Sequence, residues 1–199
     1  CGFCSNRNLT IAWEKALAGD PISAFGGVII TNGSIDLNVA KKINALFFEV
    51  LIANEFEKEA LELLKSKTSR IILKKKNVNL EEMSFRTILN GVLCQQKDFI
   101  TDNKNVQVVS NLNVSKSQMV DLIFASKICK HTKSNAIVLV KNKQLLASGC
   151  GQTSRVDALR QAISKAKIFG FSLEDSVMAS DAFFPFPDCV EIAREQGVK

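Results

Sequence analysis

The sequence has no tyrosine, a single histidine, a single tryptophan and only 3 prolines among its 199 residues. One imidazole cannot build the histidine-rich ligand sets of most catalytic zinc sites. The 6 cysteines are too sparse for a disulfide scaffold. Five of them lie beside apolar or small residues, as buried thiols often do, which favours a reducing, cytoplasmic setting. No apolar run approaches the roughly 18 to 20 residues that span a bilayer, so no membrane partner is expected. There is no charged-then-apolar leader, and Cys1-Gly2-Phe3-Cys4 has the look of a cut end. Repeats and low-complexity tracts are missing as well.

What is present is a globular composition, 46% hydrophobic and 23% charged, with 13 phenylalanines. A folded chain of this length buries roughly 70% of the surface its unfolded form exposes, enough for a core without metal or disulfides. The balance of 26 Lys and Arg against 20 Asp and Glu gives a formal charge of +6, which favours anionic partners without choosing among nucleic acid, nucleotide and phosphate.

Hydrophobic periodicity alternates between helix and strand, which predicts a layered α/β fold. Asn8 or Thr10 caps a helix carrying Ala12, Trp13, Ala16 and Leu17, stopped by Gly19-Asp20-Pro21. Residues 28–31 form a buried strand closed by Asn32-Gly33, and Asp36 caps a helix with Val39, Ala40, Ile43 and Leu46 inward. Strands follow at 50–53, 70–73 and 91–95, with a helix over 57–65. The polar stretch 97–113 divides two small subdomains, 1–110 and 111–199. In the second, Ser115 opens a helix through Ile128, residues 136–141 and 144–149 make a hairpin around Asn142-Lys143, a helix covers 154–169, and a strand at 177–180 precedes a helix over 189–196.

Four segments carry chemistry. Gly149-Cys150-Gly151-Gln152-Thr153-Ser154-Arg155 ends a strand and begins a helix, where free N–H groups, the helix dipole and a forked Arg suit an anion; a tight connection with a solvated Arg explains the same residues. Lys130-His131-Thr132-Lys133-Ser134-Asn135 precedes a buried strand. Its Asn135 offers a donor and an acceptor, and His131 is either the one imidazole available for proton transfer or an ordinary surface histidine. Ser180-Asp181-Ala182-Phe183-Phe184-Pro185-Phe186-Pro187-Asp188 reads as a core plug or as an aromatic wall for a flat ligand. In Asp20-Pro21-Ile22-Ser23-Ala24-Phe25-Gly26-Gly27 paired glycines permit a tight bend or close backbone approach.

These segments, in order and spacing, with Phe48-Glu49-Val50-Leu51-Ile52-Ala53 and Gly91-Val92-Leu93-Cys94-Gln95-Gln96, strongly resemble bacterial AICAR transformylase, the formyl-transferring part of the bifunctional transformylase and IMP cyclohydrolase. The resemblance implies a cytidine-deaminase-like, three-layer α/β/α fold acting as a homodimer. It also implies formyl transfer from 10-formyltetrahydrofolate to the 5-amino group of aminoimidazole carboxamide ribotide (AICAR). By position, it places Phe25, Gly26, Glu49, Asn135 and Arg155 at the ribotide, Val156, Phe183, Phe186 and Asp188 on the folate side, and potassium near Thr132, Ser134 and Asp181.

One departure matters. The family's catalytic pair lies in Lys-His-x-x-Pro-Cys-Gly, of which Cys1-Gly2 matches only the end, and Lys130-His131 belongs to a different segment, so the catalytic base is unassigned and His131 is a weak candidate. The chain is expected to be a fragment, and the competing reading is a non-catalytic remnant that binds ribotide and folate or serves in assembly. A nucleobase deaminase needs His-x-Glu and Pro-Cys-x-x-Cys, which are missing. Cys1 and Cys4 supply at most two ligands, so no zinc is expected. The basic run Lys65, Lys67, Arg70, Lys74, Lys75 and Lys76 has no interleaved aromatics, and a strand edge blunted by Lys explains it better than nucleic-acid binding.

Overall fold

The computed structural model describes residues 2–101, 106–111 and 113–199. Cys1 and parts of the 97–113 boundary stretch therefore lie outside the described residues.

The first half is built on a parallel sheet. Helix α1 (Leu9–Ala18) is capped by the Asn8 side chain, which accepts from the Ile11 N–H at 3.1 Å. Strand β1 (Gly27–Ile30), a short β2 (Ser34–Ile35), α2 (Leu37–Asn44), β3 (Phe48–Ala53), a short β4 (Glu55–Phe56), α3 (Lys58–Lys65) and β5 (Ile71–Lys74) follow. The sheet order is β1-β3-β5, all parallel, with β2 and β4 a separate parallel pair. Apolar residues at helical spacing place Val39, Ala40 and Ile43 of α2 and Ala60 and Leu64 of α3 against Phe48, Leu51 and Ala53 of β3. A register shift opposite Gly27 and Val28 makes Glu49 the extra residue of a bulge. The bulge puts Phe48 on the same inward face as Leu51 and leaves Glu49 exposed.

Helices α2 and α3 cover only one face. On the other, Val28, Val50 and Ile71 lie in one cross-strand row and Ile30, Ile52 and Leu73 in the next, and Val28, Ile30, Ile71 and Leu73 are all exposed. A parallel sheet normally buries both faces, so this surface calls for a cover. Beyond β5, β6 (Met83–Ile88) and β7 (Gly91–Gln96) form a hairpin exposed on both faces, Phe85, Val92 and Leu93 included. Strand β6 goes beyond the sequence expectation. Its alternation and the Asn90-Gly91 turn were the available signal, and without a buried face its pattern stays shallow.

The second half is three-layered, as expected. The sheet order is β10 (Val177–Ser180), β8 (Ile137–Lys141), β9 (Gln144–Gly149), all antiparallel. Alternation along β8 splits two cores: Ile137 and Leu139 face α5 (Arg155–Ile168) and α6 (Asp188–Glu195), while Val138 and Val140 face α4 (Lys116–Lys130). Helix α4 opens on a capping box between Ser115 and Gln118. Gly149 admits α5 closely, since a Cβ there would fall 1.9 Å from the Ala158 carbonyl oxygen.

The N-terminal segment joins the halves. Phe3 O accepts from Leu145 N–H at 2.8 Å and Ser5 N–H donates to Lys143 O at 2.9 Å, so this segment runs antiparallel beside β9. Among the described residues no helix is long and apolar enough to cross a membrane.

Two substitutions of opposite sign test this packing. Gly149→Ala should destabilise the chain by about 2 kcal/mol or more, because backbone must move to admit the methyl group. Lys143→Gly should stabilise it by about 0.5 to 1 kcal/mol, because Asn142 and Lys143 hold φ of 52° and 55° in the hairpin turn. Urea melts of each variant check both, and equal midpoints would contradict them.

Candidate functional site

The second-half site is organised by Asp181, just past the end of β10. Its Oδ1 accepts the Ala136 N–H at 2.8 Å and its Oδ2 accepts from the Ser134 hydroxyl. Its own N–H donates to Ala136 O at 3.3 Å. The Arg155 guanidinium stands 3.9 Å from Oδ1. Burial alone pushes the Asp181 carboxyl up, but the Ser134 hydroxyl, the Ala136 N–H and Arg155 together outweigh it and hold it below its ordinary value.

Loop 132–135 continues the hairpin beyond β8. Gly151 N–H donates to Lys133 O at 2.8 Å, and Asn135 Nδ2 donates to Gln152 O and Thr153 O at 3.0 and 3.1 Å. The amide of Asn135 thus ties two loops together, and its Oδ1 accepts no hydrogen bond among the described residues. Gly151, at φ 65°, makes the turn into α5. Ser154 caps that helix, accepting the Asp157 N–H at 3.1 Å and donating to Asp157 Oδ2 at 2.7 Å. The expected bare anion site at the helix start is therefore partly occupied by the chain itself, because a first-turn carboxylate meets the dipole.

Arg155 turns toward Asp181 rather than into solvent. Its side chain is 21% exposed, its Nε is buried without a partner, and it makes no hydrogen bond among the described residues. Arg70, the more deeply buried guanidinium, shares an unpartnered Nε among the described residues, but its other nitrogens donate to Asn44 Oδ1 at 2.6 Å and to the Asn44 and Leu46 carbonyls, and it stacks 4.2 Å over Phe48. Arg70 is structural, and its burial removes it from the basic run of the sequence. Arg155 is the cation with donors to spare.

Thr132, Ser134, Ser126, Ser180 and Asp181 line one cleft, closed on one side by residues 98–101. Lys130 latches that segment, donating to Asp98 O at 2.7 Å and Ile100 O at 2.5 Å. Neither this latch nor the hub role of Asp181 was legible, since the partners lie 32 and 45 residues away in sequence. Beneath the cleft, burial pushes the Cys129 thiol up to about 11, helped by the Asp181 charge, which leaves it un-ionised and unreactive. Among the described residues no group of three or more His, Cys, Asp and Glu stands ready for a metal.

The remaining candidates are dispersed. His131 is the exposed C-cap residue of α4 and does not line the cleft. Phe184 packs on the core and is the plug, whereas Phe183 and Phe186 are exposed. Val156 packs on the same core, and Asp188 Oδ1 accepts the Cys189 N–H at 2.7 Å at the start of α6. In the first half Phe25 pairs with Phe47 at 5.0 Å between ring centroids, and Gly26, at φ 71°, donates to Phe47 O at 2.9 Å. No hydrogen bond, ion pair or ring contact among the described residues joins Phe25, Gly26 or Glu49 to the Asp181 cluster.

The layered α/β scaffold thus presents a carboxylate, hydroxyls and an under-satisfied Arg at its strand ends, where loops commonly carry function. The chain belongs to the AICARFT/IMPCHase bienzyme family, whose description matches residues 1–165. It is 57% identical over 199 residues to the bifunctional purine biosynthesis protein PurH of Bacteroides thetaiotaomicron, and 43% identical over 212 residues to that of Ligilactobacillus salivarius. Against PurH of Aquifex aeolicus the identity is 40% over 200 residues. Each match covers 100% of this chain but only 39% of the relative, so the chain spans well under half the length of these purine-biosynthesis proteins.

Replacing the hub tests its electrostatics. Asp181→Asn should cost about 2 kcal/mol at pH 7. A carboxyl held low when folded contributes fully above its unfolded value, near 3.9, and loses that contribution as pH falls through the folded one. The gap between wild type and Asp181→Asn in urea melts should therefore be full above about pH 4 and narrow as the pH falls below it. A gap independent of pH would contradict the assignment.

Proposed function

We propose that the chain is the part of a bifunctional purine-biosynthesis protein that performs formyl transfer, with the Asp181 cluster as the ribotide-binding half of its site. The observation that carries this is Arg155, a mostly buried guanidinium that stands 3.9 Å from Asp181 and makes no hydrogen bond among the described residues, beside a pair of loops tied by Asn135. Buried polar atoms are nearly always partnered, so such a group is set for an external acceptor. An anionic ribotide supplies one, and the Asn135 Oδ1 acceptor suits its carboxamide or amine.

In this reading the aromatic amine attacks the formyl carbon of 10-formyltetrahydrofolate. A new C–N bond forms, the bond to the folate nitrogen breaks, and the amine proton passes to the departing nitrogen. An amine of low basicity needs that proton removed as it attacks. His131 is an exposed C-cap with no hydrogen bond to Ser134, Asn135, Arg155 or Asp181 among the described residues, so this proton transfer is assigned to no residue here. The exposed rings of Phe183 and Phe186 offer flat packing for pterin or benzoyl groups, with Val156 and Asp188 alongside. The oxygens of Thr132, Ser134 and Asp181 fit a hard monovalent cation such as potassium, which when bound would steady the loop that holds Asn135.

Phe25, Gly26 and Glu49 complete the site in a homodimer, where a partner subunit brings its copy of that loop to this Asp181 cluster. The uncovered sheet face and the exposed β6–β7 hairpin support a second subunit. A binding remnant without turnover is the second reading, favoured by the position of His131.

Calorimetric titration with aminoimidazole carboxamide ribotide tests the binding claim. Arg155→Ala should weaken binding by about 1.5 to 3 kcal/mol, the worth of hydrogen bonds to a charged group. Affinity unchanged in Arg155→Ala would sink the assignment.

A further inference from the structure

The Pro21–Gly27 loop is tied at its far end to Phe47, through the Gly26 N–H and the Phe25 ring. Pro21, Ile22, Ser23 and Phe25 are exposed, so the near end of the loop is set by its root. That root is Asp20, only 2% exposed, whose Oδ1 accepts the Ser23 N–H at 2.9 Å and whose Oδ2 accepts from Lys165 Nζ, a partner 145 residues away. The residue before it is pressed against the second half as well: a Cβ on Gly19 would fall 2.9 Å from Leu145 O. Nearby, Gln144 Nε2 donates to Lys15 O at 3.0 Å.

Lys165 lies on α5, the helix that begins with Arg155. Ten residues separate the two, about 15 Å along the helix axis. Ala158, Leu159, Ala162, Ile163 and Ala166 are buried along that helix, so it moves as a rod or not at all. Burial pushes the Asp20 carboxyl up, and Lys165 and the Ser23 backbone and side chain more than reverse this, keeping it charged.

We propose that the Asp20–Lys165 pair is a positioning device that fixes the Phe25–Gly26 loop in register with α5, and so with Arg155. The role rests on the ribotide reading given above. In a homodimer, each loop is held by its own α5 while serving the partner's cluster, so the pair sets the relation between the two sites.

Lys165→Gln removes the charge at a partly exposed position, and Lys165→Arg restores it. Amide hydrogen exchange and ribotide titration are measured on the wild-type chain and both variants. The proposal expects Lys165→Gln to speed exchange of residues 21–27 about tenfold, to leave β8 and β9 unchanged, and to weaken ribotide binding about tenfold. Lys165→Arg should recover both. Exchange that is unaltered, or faster throughout the chain, overturns the proposal, as does normal ribotide affinity with a loosened loop. If the wild-type chain binds no ribotide, the functional reading fails, while the exchange comparison still decides whether the pair positions the loop.

Discussion

The candidate site depends on one carboxylate. Asp181 draws together three pieces of chain that share no covalent neighbourhood: the Ser134–Ala136 entry to β8, the end of β10 and the first turn of α5. Because it is mostly buried, its charge has to be compensated, and it is compensated by a hydroxyl, a backbone N–H and a loosely placed guanidinium. The arrangement leaves Arg155 near enough to neutralise the charge and too far, at 3.9 Å, to be satisfied by it. A cation so placed is held ready for a second acceptor without reorganising the loops around it.

The contrast with Arg70 shows why burial alone does not mark function. Arg70 is the more buried of the two, yet the carbonyl end of α2 and the ring of Phe48 use most of what it offers, and the result closes the edge of the first core. Arg155 is partly buried and makes no hydrogen bond among the described residues. Similarly, both halves are α/β units, but only the second has helices on both faces of its sheet. The first half, with its open aliphatic face and projecting hairpin, has the surface of a unit made to be covered.

Much of this was legible in the sequence. Asn8, one of two candidates with Thr10, and Asp36 cap their helices, and Ser115 and Ser154 stand as caps at the starts of the helices expected there, since capping is a local signal. The Asn142-Lys143 hairpin and the alternating cores of β8 follow from periodicity. The family resemblance placed Asn135 and Arg155 at the ribotide and Ser134 and Asp181 at potassium, as two separate sets, whereas the structure joins Ser134 and Arg155 through Asp181. What stayed hidden were contacts over long sequence separation: Lys165 on Asp20, Lys130 on Asp98 and Ile100, Asp181 on Ala136. Strand β6 was also hidden, because an exposed hairpin carries no burial pattern. Where an open anion site was expected at the start of α5, Ser154 and Asp157 already occupy part of the helix terminus, a local pairing the sequence reading did not include.

The measurement that tests the account most directly is a crystal structure of the chain with aminoimidazole carboxamide ribotide. The account predicts a ligand acceptor group on the Arg155 guanidinium, the Asn135 Oδ1 in contact with the ligand, and a Phe25–Gly26 loop from a second subunit over it. A ribotide ordered elsewhere on the chain, with Arg155 untouched, would contradict it.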